Sequence, residues 1–142
     1  MTGGPLFLLD KSALARAERQ PEARRALFEL DSEGVLATCD IIDLEVGYSA
    51  RNQDEFERIW AARTALYRTL PITPEVTRRA RQVQRMLCRQ GHHRSAGVAD
   101  LLIAACAEVH GAVVVHYDAD YDTISARTGQ PTRWLLPRGT VD

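Results

Sequence analysis

Apolar residues fall into two kinds of run along the chain. Short unbroken runs, Leu6-Phe7-Leu8-Leu9 and Val113-Val114-Val115, have no polar break. They predict strands buried on both faces of a parallel sheet. A third run, Val35-Leu36-Ala37, predicts another short strand, and Leu70-Pro71-Ile72 and Thr132 to Leu136 predict edge strands, the first because proline cannot donate in a ladder. Between them lie segments of helical period. Pro21 to Leu30 turns Ala23, Ala26, Leu27 and Leu30 inward, with Asp31 to Gly34 as a turn. Asp40 caps a helix running to about Arg51, and Gln53 to Leu70 forms a long helix anchored by Phe56, Ile59, Trp60, Leu66 and Tyr67. Thr73-Pro74-Glu75 starts a helix with a cap, a proline in its first position and an acid in its first turn. Val76, Ala80, Val83 and Leu87 make its buried stripe. A helix from Ser95 or Ala96 is apolar almost all round, which places it centrally. Gly111 ends it, a short helix covers Asp120 to Arg127, and Pro137 to Asp142 is expected to be a mobile tail.

Two of the buried strands end in acids. Asp10 follows Leu9, and Asp118, Asp120 and Asp122 follow the Val113 strand. In open parallel sheets ligands bind outside the carboxyl ends of strands, so Asp10 and Asp118 can share a crevice. Asp10 also suits the cap of the helix after it, with Ser12 as a local donor to a carboxylate. Glu45 lies within an apolar helical segment, where it needs a partner; an arginine salt bridge and a metal site both remain open. Asp100 is the only charge for several residues on either side. The helix N-terminus favours its ionised form by roughly 0.3–1 kcal/mol, too little to offset burial without a cation. Crowded carboxylates repel unless something positive holds them.

Composition adds limits. The 142 residues, 45% hydrophobic and 26% charged, fit one globular domain with a core from about 6 to 136. No apolar run reaches the length of a membrane span, and no signal peptide is evident, so a cytoplasmic protein is expected. Cys39, Cys88 and Cys106 match no zinc pattern and are expected to be buried thiols. His92 and His93 complete no ligand set. All of the 18 basic residues but Lys11 are arginine, and the net charge is −1. Arg78, Arg81, Arg85 and Arg89, with Arg94 beyond, form either a solvated face or a ridge that contacts phosphates.

Taken together these features resemble the PIN domain. The resemblance rests on Asp10 with Ser12, Glu45 in an early helix, Ala99-Asp100-Leu101-Leu102-Ile103-Ala104-Ala105, and Asp118-x-Asp120-aromatic. The segment Leu70 to Glu75, the helix after it and Gly91 also match. The Asp10-Lys11-Ser12-Ala13 opening is similar to VapC toxins of bacterial toxin–antitoxin pairs, particularly mycobacterial ones. The resemblance implies an αβα sandwich around a mainly parallel sheet and a divalent-metal endoribonuclease. It assigns catalysis to Asp10, Glu45, Asp100 and Asp118, and metal binding to Asp10, Asp100, Asp118 and Asp120. Hard carboxylate oxygens select Mg²⁺, with Mn²⁺ as a substitute. The family carries serine or threonine where His116 stands here; His116 can donate to a carboxylate from behind the ligands, as Ser12 does, or instead alter the pH dependence, and both readings stay open. A small VapB-like antitoxin, an RNA substrate such as tRNA or ribosomal RNA, and a homodimer are the implied partners; no membrane is. Two rivals differ in class. A phosphate-accepting receiver domain requires a lysine late in the chain, and there is none. A PIN-like scaffold that binds RNA or a partner without cutting stays open.

Overall fold

The computed structural model describes residues 4–141. In chain order the elements are β1 (Leu6–Leu9), α1 (Lys11–Arg19), α2 (Pro21–Glu33), β2 (Val35–Thr38), α3 (Asp40–Tyr48) and α4 (Gln53–Leu66). There follow β3 (Arg68–Thr69), α5 (Pro74–Arg89), α6 (Val98–His110), β4 (Ala112–His116), α7 (Asp120–Thr128) and β5 (Thr132–Trp134). The strands form one sheet in the order β3-β2-β1-β4-β5, and every pairing is parallel. The chain steps outward from β1 through β2 to β3, then returns to lay β4 on the other side of β1. That reversal opens a crevice at the carboxyl ends of β1 and β4, the place where such sheets bind ligands. Register makes the two ends coincide: Leu9 pairs with Val115, and the Asp10 N–H donates to the Val115 carbonyl at 2.9 Å.

Both faces of the sheet are covered, which is why β1 and β4 carry uninterrupted apolar residues. Leu8, Ala37 and Val114 pack with Val76, Val83 and Leu87 of α5 and Ile103, Ala104 and Ala107 of α6. Phe7, Leu9, Leu36 and Val115 pack with Ala13, Ala17, Ala23 and Leu30 of α1 and α2. The result is the three-layered α/β architecture expected from the sequence. The α5 stripe is buried as its period predicts, and Thr73 caps that helix by accepting from the Val76 N–H.

Several boundaries differ from expectation. Helix α2 runs on through Asp31 and Ser32, since no breaker precedes Gly34. Cys39, not Asp40, occupies the cap position of α3, which stops at Tyr48. Strand β3 is Arg68–Thr69, with only the Leu70 N–H still reaching the Thr38 carbonyl, because Pro71 cannot donate. Gly97 caps α6, so that helix begins at Val98. Cys88 is exposed, unlike Cys39 and Cys106. The C-terminal segment is fastened: the Tyr117 hydroxyl donates to the Val141 carbonyl (2.9 Å) and accepts from the Val141 N–H (3.1 Å). No helix among the described residues is long and apolar enough to cross a membrane.

The largest departure is α4. Phe56, Trp60 and Leu66, expected as anchors, are exposed, as are Leu44 and Tyr48 of α3 at 71% and 91%. The only buried residue of α4 is Arg63.

Candidate active site

Four acids meet at the crevice because each stands where a core element begins or ends. Asp10 leaves β1 and caps α1, so the capping role and a place in the crevice coexist. One of its carboxylate oxygens, Oδ2, accepts from the Ser12 N–H at 3.0 Å and the Ser12 hydroxyl at 2.6 Å. The other, Oδ1, accepts from the Tyr121 hydroxyl at 2.8 Å. The Ser12 hydroxyl oxygen also accepts from the Tyr117 N–H at 2.8 Å, tying α1 to the residue after β4. Asp100 sits in the first turn of α6, where the helix dipole favours negative charge. Asp118 Oδ1 accepts from the N–H of Asp120, the first residue of α7, at 2.9 Å. Asp100, Asp118 and Asp120 each offer an oxygen within 4.8 Å of the others.

This crowding disturbs protonation. Burial, followed by the charges of Asp10, Asp118 and Asp120, pushes the Asp100 carboxyl up to about 7. Asp120 is raised by burial and then by Asp118. Glu45 is raised by burial and then by Asp10, with Lys11 opposing; it lines a small groove with Lys11, Ile41, Leu44 and Tyr48. No salt bridge from Glu45 to an arginine forms among the described residues. A cluster of hard oxygen donors whose charges raise one another is what a divalent cation relieves, so the donor set fits such an ion.

Of the two roles open to His116, donation to a carboxylate is not seen among the described residues. The ring is 0% exposed and packs on Tyr121 (centroids 4.8 Å apart) and Trp134 (5.0 Å). Its Nδ1 accepts from the Asp118 N–H at 3.2 Å. It therefore orients the backbone that carries Asp118 and donates to no carboxylate among the described residues; burial lowers its pKa and keeps it neutral.

The arginines of α5 are spread along the helix. Arg79 grips Glu108 of α6 through Nε–Oε1 at 2.6 Å. Because Glu108 lies near the far end of α6 from Asp100, α5 and α6 run antiparallel. Arg78 thus stands beside that far end, while Arg89 and the Arg94 loop approach the α6 N-terminus. From Arg78 to Arg89 the helix rises about 16 Å. Those that enter no salt bridge are exposed.

Two structural groups were assigned no role from the sequence. Tyr121 is 0% exposed with its hydroxyl on Asp10, and burial beside Asp10 and Asp100 pushes its pKa up. The aromatic after Asp118-x-Asp120 was the signal for it. The Arg63 guanidinium donates to Asp43 Oδ1 (3.0 and 3.1 Å) and to the Thr38 hydroxyl oxygen (2.8 Å), a link over 25 residues that no periodicity reveals.

An all-parallel sheet of this order with acids at the ends of β1 and β4 and the start of α6 defines the class as a PIN domain, and the PIN-domain model matches residues 7–126. Ribonuclease VapC51 of Mycobacterium tuberculosis is 47% identical over 136 residues, covering 96% of this chain and 97% of the relative. The solved VapBC-1 from nontypeable Haemophilus influenzae superposes with a TM-score of 0.77 at 17% identity, over 92% of this chain and 98% of that one. VapBC-5 of Mycobacterium tuberculosis, from the VapBC family of toxin-antitoxin systems, superposes at 0.64 with 20% identity, over 91% and 96%. The chain belongs to the VapC ribonucleases of the PIN-domain family.

Proposed function

We propose that the protein is a metal-dependent endoribonuclease, the toxin of a cytoplasmic toxin–antitoxin pair, cutting structured RNA such as tRNA or ribosomal RNA. The observation that carries this is the convergence of Asp100, Asp118 and Asp120 within 4.8 Å beside Asp10, at the crevice of a PIN fold. Asp10, Asp100, Asp118 and Asp120 hold the cation, Mg²⁺ with Mn²⁺ as substitute. When bound, it supplies charge neutralisation at a phosphodiester and lowers the pKa of water.

The chain's own groups do the rest. Ser12 and Tyr121 fix both oxygens of Asp10, so its rotamer does not have to be ordered during the reaction. His116 and the Asp120 N–H set the position of Asp118. Glu45, whose carboxyl is raised by burial and then by Asp10, is the group placed to accept the proton of the attacking water. Arg85 and Arg89 of α5, with Arg94 beyond that helix, contact RNA backbone more closely than Arg78 and Arg81 do. A single-stranded loop is the substrate form, since a duplex hides its bases.

A VapB-like antitoxin is the proposed inhibitor, and a homodimer the proposed assembly. What supports a protein partner is the apolar groove of about 560 Å³ between α3 and α4, lined by Leu44, Tyr48, Phe56, Ile59 and Trp60. It shares Leu44 and Tyr48 with the groove that reaches Glu45, so one chain can cover the apolar face and block the acids.

The test is to purify the chain free of any antitoxin and incubate it with total cellular RNA, with Mg²⁺, with Mn²⁺ and with a chelator. Discrete new RNA ends that need the cation are expected. A chain that binds RNA but produces no ends under any of these conditions is the scaffold instead.

A further inference from the structure

Beyond the acids, an arginine–aromatic wall runs from the crevice to the C-terminal segment. Tyr121, which holds Asp10, contacts the His116 ring; His116 contacts Trp134; Trp134 meets Tyr117 edge-on at 5.2 Å. Each member of this half-buried pair is fastened. The Trp134 Nε1–H donates to both oxygens of Asp122 (3.0 and 3.3 Å), and the Tyr117 hydroxyl holds Val141.

Two guanidiniums lie over these rings. Arg16 is 5.0 Å from the Tyr117 centroid and Arg138 is 5.9 Å from the Trp134 centroid. Neither enters a salt bridge among the described residues, and the Arg16 Nε is buried with no hydrogen-bond partner. This separates them from Arg63 and Arg79, whose forks are already filled by carboxylates. An arginine stacked on an aromatic keeps its plane fixed while its N–H edge stays open for an anion. Arg16 follows Ser12 by four residues on α1, hence on the same face, and helical side chains lean toward the N-terminus. The Arg16 guanidinium lies over the ring of Tyr117, the residue that precedes Asp118 and whose N–H donates to the Ser12 hydroxyl oxygen.

We propose that Arg16 and Arg138, placed over Tyr117 and Trp134, form a phosphate subsite that grips the RNA backbone next to the scissile phosphodiester. This rests on the ribonuclease reading and gives that site its positioning residues. The acids hold a cation and repel every other phosphate. Two unspent positive charges, on the rings of one aromatic pair, are what bring the strand past them. The fastened tail follows from the same wall, since Val141 is held by the ring that Arg16 covers.

The test uses the full chain in chelator, so that nothing is cut, with a fluorescein-labelled single-stranded RNA oligonucleotide followed by anisotropy over a range of salt. Each phosphate contact on a single strand contributes a slope of about 0.7 in log K against log salt. Arg16→Gln and Arg138→Gln are each expected to weaken binding about three- to tenfold and lower the slope by about that amount. Arg58→Gln, on exposed α4, leaves both unchanged. Arg16→Lys keeps the slope but loses affinity, because charge remains and the fork does not. Arg138 is exposed, so its variant is free of a folding defect. If the Arg16→Gln, Arg138→Gln double variant keeps wild-type affinity and slope while the wild type still cuts RNA with metal, the subsite is overturned and the nuclease reading stands. If the wild type neither binds nor cuts RNA, both fall.

Discussion

The carboxyl end of the sheet and the α3–α4 flank break opposite rules. At the sheet end, anions are packed together with little water, and the Asp100 carboxyl rises to about 7 in consequence. On the flank, Leu44, Tyr48, Phe56 and Trp60 are left in water, and α4 is held by a polar network, Arg63 with Asp43 and Thr38, instead of an apolar stripe. Both are costly in the isolated chain, and each cost is relieved by a different kind of partner. On the proposed reading an ion relieves the first and an apolar surface of the partner the second. Both departures from ordinary burial thus fall where binding is proposed.

Substitutions can break that contrast. The largest effect is expected from Asp100→Asn, which keeps the shape and removes one crowded charge. Cleavage should fall about 100- to 1,000-fold, while the melting temperature of metal-free protein at pH 8 should rise. A fall in both would mean that Asp100 is structural.

Next is Arg63→Met. It leaves Asp43 buried without its cation and should cost about 3 kcal/mol in denaturant unfolding. Hydrogen exchange should quicken in α4 before it does in α6 or β4. Uniform quickening would show that the flank is no separate unit.

The pH dependence of stability sharpens the other half. The folded Asp100 value lies above its ordinary 3.8, so the native chain retains a proton that the unfolded chain has lost. The stabilisation is complete below about pH 4 and disappears as pH rises through 7. Metal-free protein should therefore melt lower at pH 8 than near pH 5 from this group, and added Mn²⁺ should raise the melting temperature more at pH 8 than at pH 5. Equal metal-induced shifts at the two pH values would contradict the crowding.

Tyr121→Phe leaves Asp10 Oδ1 without its donor and should cost about 1–3 kcal/mol, with cleavage reduced about tenfold. Smallest of all, Leu44→Ser or Trp60→Ser should change stability by no more than about 0.5 kcal/mol. A larger loss would mean that the flank is packed in solution.

The same contrast explains what the sequence revealed. Where a segment is buried on both sides or along one stripe, as in β1, β4, α5 and α6, pattern and structure agree because water exclusion set both. The acids at the ends of β1 and β4 and the lone charge of Asp100 were legible for the same reason, since each is conspicuous against an apolar background. Phe56, Trp60 and Leu66 were misjudged as anchors, while Tyr67 does pack against the core, because exposed apolar residues show the same period as those kept for the core. The role of His116 stayed open because a ring that accepts from a backbone N–H and one that donates to a carboxylate look alike as a letter. The Arg63 network and the Tyr117–Val141 link join residues far apart in the chain, which no local pattern encodes.

The central claim is that Asp10, Asp100, Asp118 and Asp120 together require a divalent cation. Calorimetric titration of Mn²⁺ into wild-type and Asp100→Asn chains near pH 7 tests it most directly. The expected result is saturable binding to the wild type with release of a fraction of a proton, as the ion displaces the proton shared by Asp100, and affinity at least about tenfold lower in the variant. Equal affinity in the two chains, or binding with no proton release, would contradict the account.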